Sequence, residues 1–579
     1  VDMQVNRTVC CDMANRGVAV ANGKVYVATL DAHLYALDAK TGKVLWQADT
    51  RDGSGRGINS TGAPEVAGGV VVIGNGGAEY DTRGYVSAFD LATGKLKWRF
   101  YTVPRDPALG PQDHPDLEAA VKTWDPKSRW DVGGGGTPWD AINYDPETGF
   151  VIIGTGNGGP YHTATRSPKG GDQLYLSSLV ALDARTGRVK WHYQETPGDN
   201  WDFTATAPMI LTKMTIAGEE RPVVLHAPKN GFLYVLDRRD GKLLSAKPIV
   251  RQNWTKGIDP KTGKPIPNPE AADWSKGPKI VFPGTPGARN WHPASFDPAT
   301  GLYYAPVQDM GNLMLMPPQQ PAFRKGGINT AASLFFTADL EASLAMLPPP
   351  VVAQVRALPA FAEVLKAPAI SELRAIEPLT GKTVWAVPMD GWQDRGGVLT
   401  TASGLLFQGN LAGQLRVFDK ATGKLLRSIE TGTSILAAPM TYRVNGVQYV
   451  AVMAAWGGGG HPYVPRYSAA YKRGNLGRLL VFRLDGGPVP IPPELPAPEV
   501  ASEPPAQAQG VTPATIAQGQ ALFYSVGCAL CHSNQHRSGP PDLRRMQPGT
   551  HQAFRAIVLE GALLANGMPR WDDLLKPQE

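Results

Sequence analysis

Along most of the first 430 residues, hydrophobic and polar side chains alternate in short runs broken by Gly, Asp, Asn and Thr, the period of half-buried strands rather than of helices. The stretch GKVYVATLDAHLYALDAKTGKVLWQ (Gly23 to Gln47) predicts strand, turn, strand, turn, strand. Its second half recurs. ALDAKTGKVLW (Ala36 to Trp46), AFDLATGKLKW (Ala88 to Trp98), ALDARTGRVKW (Ala181 to Trp191) and AIEPLTGKTVW (Ala375 to Trp385) fit A-x-[DE]-x-x-T-G-[KR]-x-x-W. VLDRRDGKLLS (Val235 to Ser245), VFDKATGKLLR (Val417 to Arg427) and SFDPATGLYYA (Ser295 to Ala305) are degenerate copies. A sheet unit repeated at irregular spacing predicts radial repetition, a β-propeller whose sheets bury their faces on one another. The repeat tryptophans are expected to dock one sheet on the next, with the preceding Asp or Glu capping the turn.

Two segments break the pattern: a Pro-rich excursion at about 103–130, and about 316–372, where LEASLAMLPPPVVAQVRALPAFAEVLK predicts short inserted helices. The expected organisation is a propeller over 1–484, a Pro/Ala-rich linker over 485–512 and a small all-α domain over 513–579, opened by a helix in TIAQGQALFYSVGCALCH.

Composition adds little against this picture. The 579 residues are 42% hydrophobic and 19% charged, with 65 Gly and 52 Pro, suiting many strands and tight turns. The net charge of +6 is spread without like-charge runs, so nucleic acid is not an expected partner. No stretch approaches the roughly 18 apolar residues of a membrane span. VDMQVNRT carries no apolar run of the secretory type, which fits a chain beginning inside a longer precursor.

Candidate chemistry begins with the four cysteines. Cys528 and Cys531 stand in GCALCHS, and C-x-x-C-H is the attachment signature of haem c, with two thioethers to the vinyl groups and His532 on the iron. Zinc would need further ligands near by, and a thioredoxin-like motif a βαβ context. The second axial ligand is expected to be Met568 in NGMPRW, with Met546 as the alternative. Covalent haem implies maturation outside the cytoplasm, here the bacterial periplasm. Cys10 and Cys11 are adjacent in VCCDMANRG. Neighbouring Cα atoms lie about 3.8 Å apart, short of the roughly 4.4–6.8 Å of an ordinary disulfide, so a bridge would be strained and of the functional kind. Two reduced, buried thiols are the alternative.

GTGNGG (Gly154 to Gly159) loosely mimics a dinucleotide-binding loop, but the following PYHTATRSPKGG is not expected to be helical. Read together, CCDMANRG, STGAPE, GNGGAEY, GGGGTPWD, GTGNGG, TPGDNWDFTAT, APKNGF and RNWHP resemble the pyrroloquinoline quinone (PQQ)-dependent alcohol dehydrogenases, and within them the quinohaemoproteins with a C-terminal cytochrome c. The resemblance implies an eight-bladed propeller and a disulfide ring at Cys10–Cys11 against one face of PQQ, with Trp139 stacked on the other. It implies Arg16, Thr61, Gly77, Ala78, Thr137 and Lys229 as PQQ contacts, with Asn290 and Trp291 as further candidates. Glu79, Asn157 and Asp202 become donors to calcium, a hard cation suited to carboxylate and amide oxygens. Asp202 matches the catalytic base, accepting the alcohol's proton while hydride passes to PQQ and electrons leave singly through the haem. Lanthanide-using relatives carry a second aspartate two residues beyond this one; Thr204 stands there, which favours calcium.

The family has a strand region and a PQQ-contacting glutamate before the paired cysteines. Here only nine residues precede Cys10, and eleven follow Met568, as expected of a fragment. The expected partners are a small alcohol and an external acceptor (a soluble cytochrome, cupredoxin or quinone), with the protein a monomer or part of a small complex. Two other readings compete: a cofactor-free envelope scaffold, which has no use for the cysteines, loop carboxylates or haem motif, and the same chemistry on polymeric or heterocyclic substrates.

Overall fold

The computed structural model describes residues 1–9, 13–317, 322–457, 464–496, 510–532 and 541–576. Among them, six four-stranded antiparallel sheets dominate. Four are simple meanders in chain order: Ala19 to Asp49, Glu65 to Tyr101, Ile142 to Gln194 and Ile210 to Pro248. A fifth runs from Ser295 to Pro388 around an insertion, and a sixth from Val398 to Glu430. A three-stranded sheet spans Met440 to Arg483.

The repeat motif has one local geometry throughout. In Ala36–Trp46 the Asp38 carboxylate accepts from the backbone N–H groups of Lys40 and Thr41 and from the Thr41 hydroxyl, closing the turn as expected of the capping acid. Asp90 with Thr93 and Asp419 with Thr422 repeat it. The strand pairing slips by one residue at the same motif position in six sheets, from Ala36/Leu37 to Val417/Phe418. Further Asp–Thr–Gly turns occur at Asp145–Gly149 and Asp259–Gly263, outside the motif as first read.

Four motif glycines meet the tryptophan of the preceding copy, whereas Gly381, preceded by a copy without one, meets Lys247. The Trp98 indole N–H donates to the Ala184 carbonyl at 2.9 Å, and a Cβ on Gly187 would lie 2.7 Å from the Trp98 ring. Trp46 with Gly94, Trp191 with Gly241 and Trp385 with Gly423 make the same contact. Motif glycine is therefore required twice, for its left-handed φ (+71° at Gly187) and for room.

Both expected interruptions are present. Short helical turns at Pro107–Leu109, Leu117–Ala120 and Val121–Thr123 fill the first; helices Leu340–Leu344, Pro349–Arg356 and Pro359–Lys366 lie in the second, beside a small sheet of Lys279–Val281, Asn312–Leu315 and Ser333–Phe336. The C-terminal part is helical: Thr512 caps the expected helix Pro513–Ser525, and a 3-10 turn holds Cys528–Leu530. Its end packs on the chain's beginning. Gln4 and the Arg570 backbone exchange two hydrogen bonds, the Asn6 amide donates to the Gly567 carbonyl at 3.0 Å, and Arg7 pairs with Asp573.

Gly187→Ala should destabilise the protein by about 2 kcal/mol or more, since it combines φ strain with a clash against Trp98. Thermal unfolding checks this as a lowered midpoint; an unchanged midpoint would mean that the contact contributes little.

Candidate cofactor and active site

Four consecutive glycines, Gly133 to Gly136, all have φ between +71° and +85°, a run that residues with a Cβ rarely adopt, and a Cβ at any of them would come within 3 Å of a neighbouring atom. The resulting ribbon ties three loops together. Gly84 N–H donates to Gly135 O at 2.7 Å, Gly136 N–H to Asn157 O at 2.8 Å and Gly159 N–H to Gly134 O at 3.1 Å. GNGGAEY, GGGGTPWD and GTGNGG thus form one platform presenting Gly77, Ala78, Glu79, Thr137, Trp139 and Asn157. Arg166 fastens its far side. It is fully buried, its Nη2 donates to Asp199 O at 2.7 Å, and Nη1 reaches the carbonyls of Pro160 and Tyr161. The one-turn helix that carries it, Thr163–Arg166, corrects the expectation that this segment holds no helix.

Asp202 sits between two buried aromatics, Trp201 and Phe203, whose side chains join one core cluster. The Asp199 carboxylate accepts from the N–H groups of both, fixing the turn that puts Asp202 at φ +62°. Its Oδ2 accepts from Lys229 Nζ at 2.9 Å, while Oδ1 is buried without a hydrogen-bond partner among the described residues. Burial, opposed by Lys229 but reinforced by Glu79 and Asp199, pushes the Asp202 carboxyl up to about 7. Burial likewise raises Glu79, against its own backbone amide, Lys229 and the Asn157 side chain. Carboxylates so crowded and desolvated suit a cation between them.

A second group forms around Arg16. Its N–H donates to Thr61 O at 3.1 Å, and its guanidinium lies 4.7 Å from the Trp139 ring centroid and 5.4 Å from that of Trp291. Asp140 stands 3.8 Å from Nε, which has no hydrogen-bond partner; the fully buried Thr137 hydroxyl has none either. Idle donors beside an indole face fit a planar, polyanionic ligand. Asn290 lies close by, its amide donating to Pro286 O at 3.1 Å.

At the haem motif, the His532 N–H donates to Cys528 O at 2.8 Å, curling the histidine back over the 3-10 turn. His532 Nδ1 lies 2.9 Å from Pro541 O, the partner that leaves Nε2 to a metal. Tyr80, next to Glu79, lies within electrostatic reach of Cys531. Met568 follows Gly567 at the contact with Asn6. Cys10 and Cys11 lie outside the described residues.

The family model of the PQQ-type glucose/ethanol/alcohol dehydrogenase β-propeller domain matches residues 50–261 and 264–450. Over 582 residues the chain is 44% identical to the quinohemoprotein alcohol dehydrogenase ADH IIB of Pseudomonas putida, covering 99% of this chain and 79% of that one. The chain belongs to the quinohaemoprotein alcohol dehydrogenases. A solved structure of the family member ADHIIG from Pseudomonas putida HK5 matches with a TM-score of 0.88 at 40% identity, covering 100% of this chain and 81% of its own. That of the Comamonas testosteroni enzyme gives 0.83 at 40%, covering 100% and 82%. A europium-containing methanol dehydrogenase gives 0.68 at 32%, covering 79% and 75%. As a quinohaemoprotein alcohol dehydrogenase, the protein is an oxidoreductase with a β-propeller fold.

Sequence reasoning missed Arg166, Asp199 and Asp140, whose work is to hold loops and charges rather than to match a motif. The signal available was weak: a buried Arg in TATRSPKGG looks like any surface arginine until its three carbonyl partners are placed.

Gly135→Ala would set a Cβ 2.5 Å from Asn157 O and 2.8 Å from Gly159 N. We expect a loss of about 2 kcal/mol or more, read as a lower unfolding midpoint. A variant as stable as the parent would contradict the stitched platform.

Proposed function

We propose that the protein oxidises a small alcohol to an aldehyde or ketone with PQQ and calcium, and passes the electrons through its own haem c to an external acceptor. The observation that carries this is Asp202: a desolvated carboxylate with one oxygen held by Lys229 and the other idle, beside Glu79 and Asn157. Arg16, Thr61, Gly77, Ala78, Thr137, Trp139, Lys229, Asn290 and Trp291 would hold PQQ with Cys10 and Cys11. Glu79, Asn157 and Asp202 would hold the cation. The neutral Thr204, hydrogen-bonded to the Thr206 hydroxyl at 2.9 Å, supports calcium over a lanthanide. Cys528, Cys531 and His532, with Met568, would hold the haem.

When bound, PQQ supplies a hydride acceptor, calcium a Lewis acid and haem c a one-electron relay. The chain's own contribution is positional. Asp202 Oδ1 takes the substrate's hydroxyl proton, Lys229 fixes the carboxylate through Oδ2, and Trp201 and Phe203 lock the backbone that aims it. Idle donors at Arg16 and Thr137 take the acidic ligand, and Trp139 provides the flat surface.

The finer architecture belongs to the same reading: a propeller of the family's eight-bladed type, to which residues 1–484 contribute, docked sheet to sheet by tryptophan on glycine, a linker over 485–512 and a cytochrome c domain over 513–579. The indole contacts and the helical C-terminal part support it. Haem c attachment supports a periplasmic location. Among the described residues no helix is long and apolar enough to cross a membrane, and a soluble cytochrome, cupredoxin or quinone would take the electrons.

The test follows haem absorbance after addition of a short primary alcohol to protein loaded with PQQ and calcium. Haem reduction should require both, and Asp202→Ala should slow it by at least about 100-fold. Reduction at the parental rate in the variant would remove Asp202 as the base.

A further inference from the structure

Two guanidinium groups are buried near the proposed quinone contacts with no acid to balance them. Arg289 is 1% exposed and Arg395 6%. Among the described residues neither pairs with a carboxylate: burial is the only influence that moves Arg395, down to about 10, and Arg289 feels only Tyr303 besides its burial. Asp394, next in the chain, faces Arg416 instead. Arg289 at least uses both terminal nitrogens, on the Tyr303 hydroxyl at 2.5 Å and on the His292 carbonyl. Arg395 does not. A single terminal nitrogen reaches Pro286 O and Gln308 Oε1, each at a long 3.4 Å, and Nε has no partner. An uncompensated buried charge is costly, and its retention calls for a counter-charge.

Its surroundings say where that counter-charge belongs. The Pro286 carbonyl that Arg395 touches also accepts from the Asn290 amide at 3.1 Å. The Trp291 ring stacks on His292 with centroids 4.0 Å apart and planes at 22°, and Arg16 covers the Trp291 ring. His292 therefore lies amid Arg395, Arg289 and Arg16; burial first, then these three cations, hold its imidazole well below the usual range, so it stays neutral. Three guanidinium groups converge on one side of the site, and among the described residues only Arg16 of the three has a carboxylate within 4 Å, Asp140.

We infer that Arg395 is a further anion contact of the quinone site, its spare donors available to a carboxylate of the ligand, with Arg289 the positioning residue that fixes the His292–Trp291 pair beside it. A guanidinium with donors to spare is the group that grips a carboxylate by two hydrogen bonds. The inference rests on the quinone reading proposed above and assigns that site a cation that the family resemblance did not supply.

The experiment compares wild type, Arg395→Gln and Arg395→Lys as apoproteins, measuring PQQ affinity by quenching of tryptophan fluorescence and thermal midpoints with and without PQQ. Arg395→Gln should bind PQQ at least about 10-fold more weakly, with Arg395→Lys between the two. The apo midpoint of Arg395→Gln should be unchanged or raised, because an uncompensated charge is gone, while its gain on PQQ binding shrinks. Unchanged affinity, with or without a lower apo midpoint, would overturn the inference alone and leave Arg395 a structural residue. A wild type that does not bind PQQ would overturn the quinone site, and this inference with it.

Discussion

The site depends on main-chain hydrogen bonds that only a Cβ-free ribbon can make. Gly133 to Gly136 run between two loops from different sheets, bonding Thr82 and Gly84 on one side and Asn157 and Gly159 on the other. Propeller loops at a sheet's end are otherwise free to drift apart, since the sheets fix only their stems. Stitched together, they bring Glu79, Thr137, Trp139 and Asn157 into one surface. Without that surface, Asp202 would be a buried acid beside a lysine and nothing more.

Charge explains why this surface must hold something. Its carboxylates, Asp202 and Glu79, are desolvated on one flank, and its cations, Arg16, Arg289 and Arg395, are desolvated on the other. Such a separation is unfavourable in an empty protein. In the proposed reading, a cation on the acidic flank and a polycarboxylate on the basic flank would neutralise both, so that the ligands complete the site. Lys229 bridges the two sets, pairing with Asp202 while its backbone packs against Gly287 in the loop of Asn290.

Much of this was legible in the residues. The repeat spacing revealed the sheet units because one motif does three local jobs: the acid closes the turn, the glycine makes room and the tryptophan fills it. The short helices within about 316–372 and the helix before Cys528 were legible where the strand alternation breaks off. The loop residues were legible only as a constellation, through family resemblance, because GNGGAEY or GGGGTPWD alone specifies turns rather than chemistry. What escaped was support carried by unremarkable residues. Arg395 acts through Pro286 and Gln308, far away in the chain, and Arg166 through Asp199, 33 residues on, as well as its own loop; no local pattern announces a buried arginine whose partners are carbonyls or a missing anion, or singles out Asp199 as the acid that closes its own turn. The single helical turn Thr163–Arg166 escaped for the same reason, since tertiary bonds to Arg166 hold it rather than propensity.

The claim at the centre is that one surface binds an acidic quinone and a hard cation together. Calorimetric titration of the apoprotein with PQQ, in the presence and absence of calcium, tests it most directly. One PQQ should bind per chain, with affinity that rises when calcium is present, because each ligand would neutralise one flank of the same site. Absence of PQQ binding under either condition, or binding indifferent to calcium, would contradict it.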